Sequence, residues 1–114
     1  MKLALFTHLS WPENISQQDV FQGAVEQVQM AEASGYHSAW FAEHHFTRYS
    51  MGSSLGVILG YMAAATKNIR LGTGVIVPVL HNPIRVAEDT ATVDLLSGGR
   101  LDVGFGRGVY SYEY

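Results

Sequence analysis

Cysteine is absent from the 114 residues, which excludes disulfides and thiolate metal sites and agrees with a reducing, cytoplasmic setting. Charge is sparse: 7 basic and 10 acidic residues give a formal net charge of -3, with no basic run. A groove that tracks nucleic-acid phosphates is therefore not expected. Long hydrophobic runs are missing too. The longest, Leu55 to Ala65, falls far short of the ~20 residues a membrane helix needs. No basic segment leads into an apolar run and a small-residue cleavage site, so no signal peptide is expected. What remains is 47% hydrophobic and 15% charged, enough to bury a real core as one domain or part of a larger one.

That apolar material comes in alternating periods. Leu3 to Thr7 is a short uncharged run that suits a strand buried on both faces. Ser16, with Asp19 three residues on, predicts a helix start of the capping-box kind. Val20, Ala24, Val28 and Ala31 then recur at helical spacing until Ser34-Gly35. Ala39 to Ala42 reads as the second strand, Ser53 to Thr66 as the second helix and Leu71 to Val77 as the third strand. Asn82 and Pro83 open a third helix, Gly98-Gly99 closes it, and Leu101 to Phe105 is the fourth strand. Strand starts near 3, 39, 71 and 101 imply a repeated β/α unit, right-handed crossovers and a parallel sheet.

Two parallel folds compete. A dinucleotide-binding sheet wants a glycine-rich turn after its first strand, but Thr7-His8-Leu9-Ser10-Trp11-Pro12 has no glycine there. A (β/α)₈ barrel instead gathers its chemistry after the C-terminal ends of the strands. His8 ends the first strand, Glu43-His44-His45 the second and Gly106-Arg107-Gly108 the fourth, while Gly74 lies towards the end of the third. The expected fold is therefore the first four units of a TIM-type (β/α)₈ barrel. Four strands do not close eight, so residues 1–114 are expected to be the N-terminal half of one barrel domain and a fragment of a longer chain.

Each polar residue has a plain structural reading as well. His8 reads as either a satisfied strand-end histidine or a pocket residue. Adjacent residues on extended chain face opposite ways, so only Glu43 and His45 of that triplet are placed to share an ion. No other cluster supplies the missing ligands, and no metal site is expected. Acid–base work or hydrogen bonding to a polar ligand suits the histidines better. Arg107 between two glycines is either a solvated loop arginine or an anion grip, with the grip favoured. Arg85, Glu88 and Asp89, spaced i, i+3 and i+4, read as an ion-paired helix face.

At Glu43-His44-His45-Phe46 the chain resembles the α chain of bacterial luciferase and its flavin monooxygenase relatives. The likeness continues through Leu71-Gly72-Thr73-Gly74, Asn82 to Asp89, Asp94 to Arg100 and Gly104 to Gly108, in order along essentially the whole chain. The resemblance implies His44 as the catalytic histidine, His45 beside it in the pocket and Glu43 supporting both. It implies Arg107 on the FMN phosphate, a cis peptide at Gly74-Val75 against the flavin ring, and Tyr110 as a flavin neighbour. Luciferase α chains carry a reactive cysteine where Gly106 stands here, so thiol-dependent properties and light emission do not carry over.

The activity implied is oxygenation of a small apolar, aldehyde-like substrate by a flavin hydroperoxide. That species forms from O₂ and reduced FMN, the latter supplied by a separate flavin reductase. The same barrel also hosts deazaflavin-dependent hydride transfer, and a non-catalytic flavin-binding or assembly subunit is the remaining alternative. Finally, the second helix is apolar nearly all round, and Gly52, Gly56 and Gly60 recur every fourth residue. Something else must cover its outer side: either a long loop or, the favoured reading, a homodimer or heterodimer contact through helices 2 and 3, in agreement with the resemblance.

Overall fold

A computed structural model describes residues 1–114 in full. Strands β1 (Ala4–Thr7), β2 (Ser38–Phe41), β3 (Arg70–Ile76) and β4 (Leu101–Phe105) alternate with helices α1 (Gln17–Ala33), α2 (Leu55–Ala65) and α3 (Pro83–Ser97). Short 3₁₀ turns follow β3 at Pro78–Leu80 and β4 at Ser111–Glu113. The strands are all parallel and lie side by side in chain order. A doubly wound sheet reverses its strand order at a switch point. This one never does, and it matches the first four units of a (β/α)₈ barrel.

The local signals act as their chemistry requires. Ser16 Oγ accepts the Asp19 N–H at 3.1 Å and donates to Asp19 Oδ2 at 2.7 Å, closing the first turn of α1. Asn82 Oδ1 accepts the Ile84 N–H at 2.9 Å, and Pro83 needs no partner there because it has no N–H to satisfy. Gly98 ends α3 in the left-handed region at φ 70°, where a side chain would be strained. The second helix is slightly shorter than its apolar pattern: Ser54 and Thr66 are its caps, an ordinary difference at frayed ends.

Leu5, Ala39, Leu71 and Leu101 line up across the sheet. Ala39 and Leu71 are fully buried, as are Phe41 and Val28 of α1. They join Ile58, Leu59 and Met62 of α2 and Val93 of α3 in a single core between the sheet and the helices. The other face of the sheet carries Phe6, Trp40 and Gly72 in register, and half of Phe6 is exposed.

The apolar helix α2 is covered on its inner side only. Val57 and Tyr61 are exposed, as are Ile84, Leu95 and Leu96 of α3. The glycine repeat does not make one contact stripe, however. A Cβ at Gly52 would fall 1.9 Å from the Ala42 carbonyl oxygen, and one at Gly56 would touch Asp89 of α3, whereas Gly60 faces open space. Gly52 and Gly56 thus answer to two different close contacts within the chain, and Gly60 to none. No helix is long and apolar enough to cross a membrane.

Candidate active site

The ends of β1, β2 and β4 bring His8, His44 and the residues after Arg107 to one mouth. The His8 and His44 rings stack at 5.7 Å with 23° between their planes. Tyr49 and Tyr110 close round them, their rings 5.3 and 5.6 Å from His44. His44 Nδ1 lies 3.1 Å from Glu113 Oε1, which also accepts the His45 backbone N–H at 2.9 Å. Glu113 is buried. A carboxylate on Nδ1 fixes the ring and leaves Nε2 as the nitrogen free to handle a proton.

His8 is held differently. Its Nε2 has a long 3.4 Å contact to the Tyr49 hydroxyl, and its Nδ1 is buried without a partner. Burial, with the nearby His44 charge second, pushes its pKa below the usual histidine value.

The Glu43-His44-His45 triplet is divided in space. Glu43 does not support His44. Glu43 Oε1 faces His45 Nε2 at 2.9 Å and His81 Nε2 at 2.7 Å, and its Oε2 accepts the Val77 N–H at 3.0 Å. His45 is thus turned away from His44, as alternation along extended chain requires. The expectation that no further donor joins Glu43 and His45 is overturned by His81, because the ligand atoms of all three lie within 4.8 Å of one another.

Sequence reasoning misses both Glu113 and His81. His81 is within reach of the barrel rule, since it lies after β3 at the mouth. Glu113 carries a weaker signal, a lone carboxylate among tyrosines after β4.

Beside this cluster, Gly106, Arg107, Gly108, Ser111 and Tyr114 line an open groove of about 440 Å³ with Pro78 and Val79. Arg48, Arg70, Arg85 and Arg100 all donate to protein acceptors. The Arg107 guanidinium has none; only its carbonyl is engaged, by the Tyr114 hydroxyl. An exposed fork of N–H donors in a groove is suited to a phosphate or carboxylate.

Glycines also clear the concave face. A Cβ on Gly72 would fall 2.3 Å from the Trp40 ring, one on Gly74 would press on Phe6 at 3.1 Å, and one on Gly106 would fall 2.4 Å from Val75 Cγ2. Gly106, where luciferase α chains have cysteine, is therefore the residue that fits against Val75. The Gly74-Val75 peptide is cis.

Residues 1–114 match the model of the luciferase-like monooxygenase family. The oxygenase component of the flavin-dependent trigonelline monooxygenase of Acinetobacter baylyi is 35% identical over 115 residues, covering 100% of this chain and 32% of that protein. The alkanal monooxygenase alpha chain of Photorhabdus laumondii is 32% identical over 114 residues, again across 100% of this chain and 32% of the relative. Among solved structures, monooxygenase RslO1 from Streptomyces bottropensis superposes with a TM-score of 0.93 at 33% identity, covering 99% of this chain and 35% of that one. The chain spans about a third of the length of these relatives.

Proposed function

The chain belongs to the luciferase-like monooxygenase family, and from this we propose that it is the N-terminal, histidine-bearing half of a flavin-dependent monooxygenase barrel. The observation that carries the proposal is an imidazole oriented by Glu113 after β2 together with an unpartnered guanidinium at Arg107 after β4. Reduced FMN, when bound, supplies the electrons and the atom at which O₂ is activated. Arg107 would hold its phosphate, Gly106 and the Gly74-Val75 peptide would leave room for the ring, and Tyr110 would be its aromatic neighbour. His44, oriented by Glu113, moves a proton at Nε2. His8 packs against His44 and lines the substrate pocket with Phe6 and Tyr49.

Those aromatic walls support a small apolar substrate, and the alkanal-oxidising relative supports an aldehyde. The relative named as an oxygenase component supports a separate flavin reductase as the donor of reduced FMN. The uncovered Val57, Tyr61 and Ile84 support a homodimer or heterodimer through α2 and α3. The lack of cysteine supports a cytoplasmic location.

The test is to load the full-length protein anaerobically with reduced FMN, mix it rapidly with oxygen, and follow the flavin spectrum. An absorbing species distinct from both reduced and oxidised FMN, outlasting its lifetime in free solution, is the expected result. Direct reoxidation, with stable hydride exchange to a deazaflavin instead, would replace this reading with the hydride-transfer one. Flavin binding with neither chemistry would make the chain an assembly subunit.

A further inference from the structure

We propose that Glu43, His45 and His81 form a binding site for a divalent transition-metal cation of the zinc, cobalt or nickel type, set behind the segment that carries His44. Two imidazole nitrogens and one carboxylate oxygen are a donor set these ions favour. Both Nε2 atoms point at the same carboxylate oxygen, at 2.9 and 2.7 Å. The Glu43 side chain is 1% exposed, yet its only charge partners are these two histidines, with no lysine or arginine against it. A buried carboxylate matched only by imidazoles is a place where a cation is electrostatically welcome.

The ligands are already gathered and oriented. The Val77 N–H on Glu43 Oε2 does what a hydrogen bond behind a metal ligand does: it fixes the carboxylate and leaves the other oxygen directed at the site. Ligands around one such ion stand roughly 3–4 Å apart, given metal–nitrogen distances of about 2.0–2.1 Å. The two imidazoles now sit 2.9 and 2.7 Å from Glu43 Oε1, so an ion entering between them must open these contacts by about 0.5 Å. The third separation, at most 4.8 Å, closes by about 1 Å or less, and rotation of the His45 and His81 side chains supplies both. These are 17% and 31% exposed, which leaves an entry path and room for water to complete the coordination. Glu43 and His45 follow β2 and His81 follows β3, so a bound ion ties the two loops together. His44 sits between two of its ligands.

The experiment uses the full-length protein without flavin, stripped with a chelator and titrated with Co²⁺, then Zn²⁺. The expected result is one ion per chain, a visible Co²⁺ absorption of low coordination number that Zn²⁺ abolishes, and a raised melting temperature. His81→Gln keeps an N–H donor for Glu43 and so preserves the hydrogen-bonded arrangement. It should bind at least about 100-fold more weakly, since even lost support behind a ligand costs 10–100-fold. His37→Gln, at the far end of the sheet, should bind as the wild type does.

Absence of a Co²⁺ spectrum and of any melting shift in the wild type would overturn the proposal and leave the three residues as a hydrogen-bonded clamp. Equal affinity in His81→Gln would overturn it too. Should that variant fail to fold, the wild-type titration alone still decides. Because no step involves flavin, failure here leaves the monooxygenase reading untouched.

Discussion

The two ends of the sheet treat their polar groups in opposite ways. At the end where the strands begin, Arg100, Glu32, Arg70 and Asp102 are satisfied within the chain. Arg100 donates to the Ser97, Ala63 and Ile69 carbonyls and to Thr66 Oγ1. Glu32 Oε1 accepts the N–H groups of Lys67, Asn68 and Ile69 at 2.9, 2.6 and 2.9 Å. Arg70 and Asp102 meet through two bonds of 2.7 Å. At the mouth, Arg107 has no acceptor, His8 Nδ1 has no partner, and the rings of His8, His44, Tyr49 and Tyr110 crowd together. The first end closes helix exits and strand starts. The second keeps donors and an oriented imidazole in reserve. In a barrel this is the division between stability and chemistry.

Substitutions at the two ends should therefore separate activity from stability. The largest effect is expected for His44→Ala: loss of positioned proton transfer should lower oxygenation turnover by about 10²–10⁴-fold. Melting temperature and FMN affinity should stay near wild type, as read by product assay, calorimetry and flavin titration. A large drop in stability with turnover preserved would break the comparison.

At the opposite end, Arg100→Ala strands several buried carbonyls and should cost about 2–4 kcal/mol in urea unfolding. The FMN dissociation constant of the folded fraction should not change. Arg107→Ala should do the reverse, weakening FMN about 10- to 100-fold, or roughly 1.4–2.7 kcal/mol, with an unchanged urea midpoint.

The smallest effect concerns acid. Burial raises the Glu32 pKa, but the N–H groups of Asn68, Ile69 and Lys67 outweigh it and hold the carboxyl below its usual range. The Arg70 hydrogen bond does the same for Asp102, against a smaller effect of burial. Both folded values are depressed, so the unfolded chain binds protons more readily as pH falls. The stabilisation is complete above the ordinary carboxylate range and is lost as pH drops through the folded values. Glu32→Gln should narrow the gap between neutral and acid stability in urea titrations at a series of pH values. An unaltered acid limb would show that Glu32 is not part of the lower network.

Much of the site is legible in the sequence because barrel chemistry has a fixed address. The residues immediately after each strand include His8, His44 and Arg107, and all three are at the mouth. Along β3 the same rule stops at Gly74 and passes over His81, which lies beyond the 3₁₀ turn Pro78–Leu80. Alternation along extended chain correctly separates His44 from its neighbours, but the partner of each side chain does not follow from it. His44 is held by a carboxylate 69 residues away and Glu43 by an imidazole 38 residues away. No spacing rule reaches that far.

The sequence by itself determined the repeated β/α unit, the caps of α1 and α3, the parallel sheet and the end of it at which His8, His44 and Arg107 stand. Each of these depends on periodicity or on hydrogen bonds within a few residues, so the local chain contains all the information needed. Only the tertiary structure decided that Glu113 orients His44, that Glu43 serves His45 and His81, and that Arg107 is left free. Those outcomes depend on which loops the strand order brings into hydrogen-bonding distance, and on which donors find an acceptor once the core has packed.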